Sequence, residues 1–177
     1  MNKRAGFTIV ELVVTLAVVA IVVTVAIPSF ASFMRSQRAT TQANDLLVSL
    51  TFARSEALKR GEPIAVCATD DANAAPPACA GDDDWSDGWL VFVDDDAAGT
   101  DGDFDSGSEE LLRVHNALDG NTALSGTGSS SLRFLPDGLV AAAADFTLEP
   151  QGCTNDQQRA IDVTATGRAE VRSEACS

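Results

Sequence analysis

The sequence predicts an α+β chain in which one long N-terminal helix, apolar in its first half and amphipathic in its second, packs with its apolar face on an antiparallel β-sheet head. Three observations predict it. Leu12 to Met34 is a run of 23 residues without a charge; from Ala43 to Leu58 apolar residues recur at three- and four-residue steps; and beyond Gly61 short β-rich segments alternate with turn residues. Charge divides the 177 residues in the same way. Residues 7 to 61 hold five basic against three acidic groups, whereas residues 62 to 177 hold five against 23, a balance of −18 within a total of −14. Such an acidic head repels phosphate backbones and favours divalent cations or basic protein patches. The uncharged run excludes a simple soluble enzyme.

At about 1.5 Å per residue the uncharged run makes a helix of roughly 34 Å, enough to cross the hydrocarbon core of a bilayer. It is longer than the apolar region of an ordinary secretory signal, and no A-x-A cleavage site follows it. Lys3 and Arg4 precede the run and Arg35 and Arg38 follow it, so flanking charge alone gives only a narrow majority for a cytoplasmic N-terminus. Pro28 removes one helix hydrogen bond and predicts a kink. Glu11 stands at the edge of the run. A carboxylate costs roughly 2.5 to 3.5 kcal/mol at the bilayer centre and less near the interface, so Glu11 is either solvated there or paired with a buried amine.

Ala43, Leu46, Leu47, Leu50, Ala53, Ala57 and Leu58 form one narrow apolar face, with Asn44, Asp45, Ser49, Arg54 and Lys59 elsewhere. Lys59 and Arg60 suit the negative end of the helix dipole, Gly61 supplies a left-handed cap and Pro63 prevents continuation, which sets the helix from about Thr8 to Arg60.

In the head, strands are expected at Ile64 to Ala68, Trp89 to Asp94, Leu111 to Val114, Leu132 to Leu135, Phe146 to Glu149, Ala160 to Thr164 and Ala169 to Arg172. Asp-Gly pairs beginning at Asp87, Asp101, Asp119 and Asp137 mark turns, and Ser125 to Ser131 reads as a flexible Gly/Ser linker. The four cysteines allow three pairings. The expected one joins Cys67 to Cys79, closing an Ala/Pro-rich loop, and Cys153 to Cys176, tying back the C-terminus; each bond would add about 3 kcal/mol. Zinc is disfavoured because no C-x-x-C pair occurs and His115, the only histidine, lies apart. Asp101, Asp103 and Asp105, on a Gly-containing loop, have the spacing of calcium ligands, but the sixth loop position is not Gly and the twelfth is Leu112. A solvated acidic loop is the better reading. Trp85 and Trp89 are expected in core or edge packing. No G-x-S-x-G, P-loop or H-E-x-x-H sequence occurs, so no catalysis is expected and no cofactor beyond that candidate calcium.

Gly6-Phe7-Thr8-Ile9-Val10-Glu11, after a short basic leader, resembles the class III signal of type IV pilins and pseudopilins. The resemblance implies that a prepilin peptidase cuts between Gly6 and Phe7 and methylates the new amine of Phe7. It also implies that Glu11 meets that amine on a neighbouring subunit, and that the helix bends or melts at Pro28. The mature chain would then have 171 residues, the 177 less the six of the leader. Further along, Phe52 to Gly61, Ala65-Val66-Cys67, Asp87 to Asp94, Leu132 to Gly138 and Thr166-Gly167-Arg168 resemble, in order, the landmarks of the GspH/FimT family.

The implied organisation is a leader at 1–6, a transmembrane or filament-core helix at 7–33, an amphipathic helix at 34–61 and an acidic, disulfide-stabilised head at 62–177. The implied role is that of a minor type IV pilin in a priming or tip complex. It would be anchored in the inner membrane with its head in the periplasm and later enter a filament. Its partners would be minor and major pilins or pseudopilins, the prepilin peptidase and the inner-membrane assembly platform. The alternative is the minor pseudopilin H of a type II secretion system. Some relatives bind DNA through a Gly-Arg-x-Arg element; here the stretch Gly167-Arg168-Ala169-Glu170-Val171-Arg172 has Arg168 but the carboxylate Glu170 where the second Arg would stand, with Arg172 two residues further on, which disfavours DNA.

Overall fold

The computed structural model describes residues 8–95, 102–128 and 130–176. It divides into two compact units, Met1–Arg35 and Ser36–Ser177. A single helix, α1 (Ile9–Arg60), passes through the boundary.

In the first unit α1 opens on Thr8, whose Oγ1 accepts the Glu11 N–H at 3.2 Å and whose carbonyl accepts the Leu12 N–H at 3.1 Å. Thr8 is therefore the N-cap, and Thr8-x-x-Glu11 has the sequence of a capping box. From Ile9 onward the large apolar side chains are exposed, Ile9, Leu16, Ile21, Ile27 and Phe30 among them. The helix is long and apolar enough to cross a membrane. It remains helical through Pro28, which has no N–H to offer the Thr24 carbonyl one turn back.

In the second unit α1 ends where Gly61, at φ +70°, donates its N–H to the Ala57 carbonyl at 2.9 Å. Among the described residues eight antiparallel strands follow: β1 (Ile64–Ala68), β2 (Gly88–Val93), β3 (Leu111–Asn116), β4 (Ala123–Gly126), β5 (Ser131–Phe134), β6 (Ala144–Glu149), β7 (Gln158–Val163) and β8 (Ala169–Glu174). They form two sheets, ordered β3-β2-β1-β5 and β4-β6-β7-β8, where one sheet is expected from sequence. The segment read as a flexible linker, Ser125 to Ser131, starts inside β4 and ends on the first residue of β5. Asp84 bridges to Ser125, and the Trp85 and Gly126 amides bond to Leu124 and Asp83 carbonyls at 2.8 Å. Long-range backbone pairing there outweighs the poor strand propensity of Ser and Gly.

The core lies between α1 and the facing sides of both sheets. Ala39, Ala43, Leu46, Leu50, Ala53 and Ala57 are essentially inaccessible and share one cluster with Ile64, Val66, Trp89 and Val91 of the first sheet and Phe146, Leu148, Ile161 and Val163 of the second. Four of these six positions are alanines, which add little side-chain bulk, while Leu46 and Leu50 each contribute roughly 2 kcal/mol by burial. Two positions expected on this face are not: Leu47 is only half-buried and Leu58 is exposed. Ser49, expected outside it, is buried with its hydroxyl donated to the Asp45 carbonyl at 3.0 Å, which satisfies its polar group locally.

Alternate residues of β1 and β2 point the other way. Ala65, Cys67, Leu90 and Phe92 form a second buried cluster, covered by Cys79, Phe104 and Leu111. This explains why β1 and β2 are buried on both faces. Cys67 is bonded to Cys79, with Cα atoms 5.7 Å apart, and the Phe104 N–H reaches Cys79 Sγ at 3.2 Å. Cys153 is bonded to Cys176, Cα atoms 5.8 Å apart. Trp85 and Trp89 are fully buried, Trp85 edge-on to Phe146 at 4.9 Å and Trp89 stacked on His115 at 3.8 Å.

Candidate functional site

The residues singled out from sequence fall into separate regions. Gly6, Phe7 and Asp101 lie outside the described residues. Glu11 is exposed in the first turn of α1, where unpaired backbone amides favour a negative charge. Its own N–H is capped by Thr8, a role that reading Glu11 only as a partner for an amine overlooks. Pro28 lies within the exposed apolar stretch.

Of the remaining calcium candidates, Asp103 is exposed and Asp105 serves its own loop, its Oδ1 accepting the Gly107 N–H at 2.9 Å. That bond and one from Ser108 hold the Asp105 carboxyl below its ordinary range. Glu109 accepts the Asp95 and Asp105 amides at 3.1 and 2.7 Å, yet burial raises its pKa. These carboxylates tether loop backbone, and among the described residues no group of three or more metal-ligating side chains converges. Arg168 and Arg172 meet carboxylates: Arg168 pairs with Glu170 at 2.6 Å, and Arg172 with Asp162 at 2.7 Å.

Among the described residues three arginines join α1 to the rest of the second unit by hydrogen bonds. Arg159, on β7, is buried, and donates to Ser36 Oγ and Thr40 Oγ1, both at 3.1 Å, as well as to the Asp156 and Gln158 carbonyls. Arg54 donates from Nε to the Gly138 carbonyl at 3.0 Å and from its terminal nitrogen to the Thr166 carbonyl at 2.9 Å. Arg60 reaches Glu56 at 2.8 Å and Glu110, just before β3, at 2.7 Å. The hydrogen bonds to Arg60 hold both carboxyls below their ordinary range, Lys59 assisting at Glu56. A further pair, Asp94 with Arg133 at 2.6 Å, is nearly dry and spans β1 from the end of β2 to β5.

Arg54 accounts physically for three of the sequence landmarks. Helix, Pro136-Asp137-Gly138 turn and Thr166-Gly167-Arg168 turn converge on one guanidinium. The turns are closed by the Gly138 N–H on Leu135 O and the Gly167 N–H on Thr164 O, both 2.8 Å. Gly167, at φ +73°, lies so close that a Cβ there would strike the Gly138 carbonyl and stand 3.1 Å from Arg54 Nε. Their spacing in sequence gives no sign of this meeting. Arg54, Asp94, Arg133 and Arg159 were not recognised as structural pairs from sequence, because each partner lies far away along the chain.

The profile of the family described as type II transport protein GspH matches residues 42–167, from the helix through the Thr166-Gly167 turn. The chain belongs to the GspH family. Residues 1–27 also match the prokaryotic N-terminal methylation motif, consistent with a membrane-anchored pilin. No curated protein matches. Among solved structures, the chain is similar to the type IV minor pilin FimU of Pseudomonas aeruginosa, at 20% identity over 82% of this chain and 99% of that one, with a TM-score of 0.59. It is also similar to the minor pseudopilin EpsH of the Vibrio cholerae type 2 secretion system, at 15% identity over 77% and 97%, with a TM-score of 0.52. This GspH-family chain thus has the type IV pilin-like fold, one long helix on antiparallel sheets. The two solved neighbours are themselves described as a minor pilin and a minor pseudopilin.

Proposed function

We propose that the chain is a minor type IV pilin that acts in pilus assembly, as part of a priming or tip complex, without catalysis. The observation that carries the reading is the Gly6-Phe7 junction and Glu11 placed at the head of an exposed apolar helix, within a matched N-methylation motif. In this reading the precursor sits in the inner membrane with its head in the periplasm, the peptidase cuts before Phe7, and the assembly platform extracts the subunit. The Glu11 carboxylate then pairs with the methylated Phe7 amine of a neighbouring pilin, which offsets the burial of both charges and sets the register. Until then, Thr8 and the helix dipole keep Glu11 at the end of the helix.

The pilus is preferred to the secretion system because the cysteine-rich head and Ala26-Ile27-Pro28-Ser29-Phe30 resemble the FimT/FimU branch. DNA binding is not preferred, because Arg168 and Arg172 are each matched by a carboxylate. A deletion strain scored for surface pili, secreted proteins and transformation tests the reading. Loss of pili with normal secretion, restored by the wild-type chain and not by Glu11→Ala, supports it. Normal pili with failed secretion would transfer the protein to the pseudopilins.

A further inference from the structure

A hollow of about 380 Å³ opens on the second unit beside α1, lined by Leu47, Val48, Thr51, Phe52, Ser55 and Arg113. Its floor is apolar, with Val48 56% exposed and Phe52 half-buried. Arg113 lies on β3, an edge strand of its sheet. Among the described residues no strand pairs with the outer side of β3, and an open edge of this kind is a template for an extended chain. Arg113 is exposed with its guanidinium 4.1 Å from the centre of the Phe52 ring. Arg60, Arg168 and Arg172 each sit against a carboxylate, whereas no described carboxylate lies within 4 Å of Arg113. An exposed cation left without a counter-charge, in a head that carries 23 acidic groups, complements a carboxylate arriving from outside.

We propose that this hollow and the β3 edge receive an extended segment of a different pilin-type subunit, apolar but for one carboxylate that meets Arg113. The segment adds a strand to β3, rests an apolar side chain on Val48 and Phe52 and sets a carboxylate on Arg113. A second copy of this chain is disfavoured, because it brings a whole head of the same negative charge, whereas a single carboxylate on a less acidic subunit meets Arg113 alone. The proposal rests on the minor-pilin reading and names the chemistry of the partner.

The test uses the full-length chain in the membranes of producing cells, with the photo-crosslinking residue p-benzoylphenylalanine in place of Val48 or, separately, of Ile27. The expected result is a Val48-position adduct with another subunit that carries its own N-methylation motif, the crosslinked peptide containing Asp or Glu. Arg113→Glu should lower its yield about tenfold or more and Arg113→Lys should preserve it, with thermal unfolding unchanged in both. An adduct from the Ile27 position but none from Val48 would overturn the docking proposal and leave the minor-pilin reading standing. A Val48 adduct with a second copy, or one indifferent to Arg113→Glu, would also overturn it. No pilin-type adduct from either position would bring down both.

Discussion

Replacing Arg54 by Met keeps most of the side-chain stem and removes both hydrogen bonds to the two turns. The Nε bond to the Gly138 carbonyl is partly buried, and a hydrogen bond from a charged donor in such a place is worth about 1.5 to 3 kcal/mol. The bond to the Thr166 carbonyl is exposed and adds less than about 1 kcal/mol. The expected loss is therefore about 2 to 3 kcal/mol, or a fall in melting temperature of roughly 6 to 10 °C for a unit of this size. Trp85 and Trp89 are both fully buried, so intrinsic fluorescence of the full-length chain in detergent reports the transition. Gly167→Ala strains the same junction from the other side, because a Cβ there meets the Gly138 carbonyl. The two changes share a partner, so the double variant should lose less than the sum of the single losses. A melting temperature within about 2 °C of wild type for Arg54→Met would refute the view that this guanidinium fastens the turns.

Asp94→Asn removes a buried carboxylate held 2.6 Å from the Arg133 guanidinium; a loss of about 3 kcal/mol is expected by urea unfolding. Reading stability against pH tests the carboxylates. Glu56, Asp105 and Glu110 have lowered native pKa values, so the stability they contribute is present above the ordinary carboxylate range and is lost as pH falls through their native values. Glu109 is raised and acts in the opposite sense, favouring the folded state as it protonates. Melting temperature should fall from pH 5 toward pH 3, and Glu109→Gln should steepen the fall. Replacing Cys153 and Cys176 together by Ser should cost about 3 kcal/mol, measured as a shift in the denaturant midpoint.

Local structure was legible wherever local chemistry decides it. The helix end follows from Lys59, Arg60, Gly61 and Pro63, and β1 has its expected bounds because Ile64 to Ala68 is an unbroken apolar run. β2, β3 and β5 to β8 shift by one to a few residues at their ends, where pairing with a neighbouring strand extends or trims what propensity indicates. The division into two sheets depends on which strands bond, a choice made between residues distant in sequence. β4 was missed because a single buried Leu124 among Ala, Ser and Gly has no visible period. Leu47 and Leu58 were misplaced for another reason. Seven apolar residues at helical spacing define a stripe wider than the six apolar positions that α1 buries, four of them alanines. At the site, the sequence marked Glu11 and the Gly6-Phe7 junction, but hid the grasp of Arg54 on two turns more than eighty residues away.

The three arginines that fasten α1 lie at three heights along it. Arg159 holds Ser36 and Thr40, Arg54 holds the two turns, and Arg60 holds Glu110. From Ser36 to Arg60 the helix rises roughly 36 Å, so these fastenings are spread along most of its length in the second unit. A pull along the axis of α1 loads them side by side, together with the interlocked alanine and leucine face, and the helix slides only when all give way in the same step. A force applied across one end loads them in succession, and each gives way alone. The unit is thus strong against tension along its helix and weak against peeling.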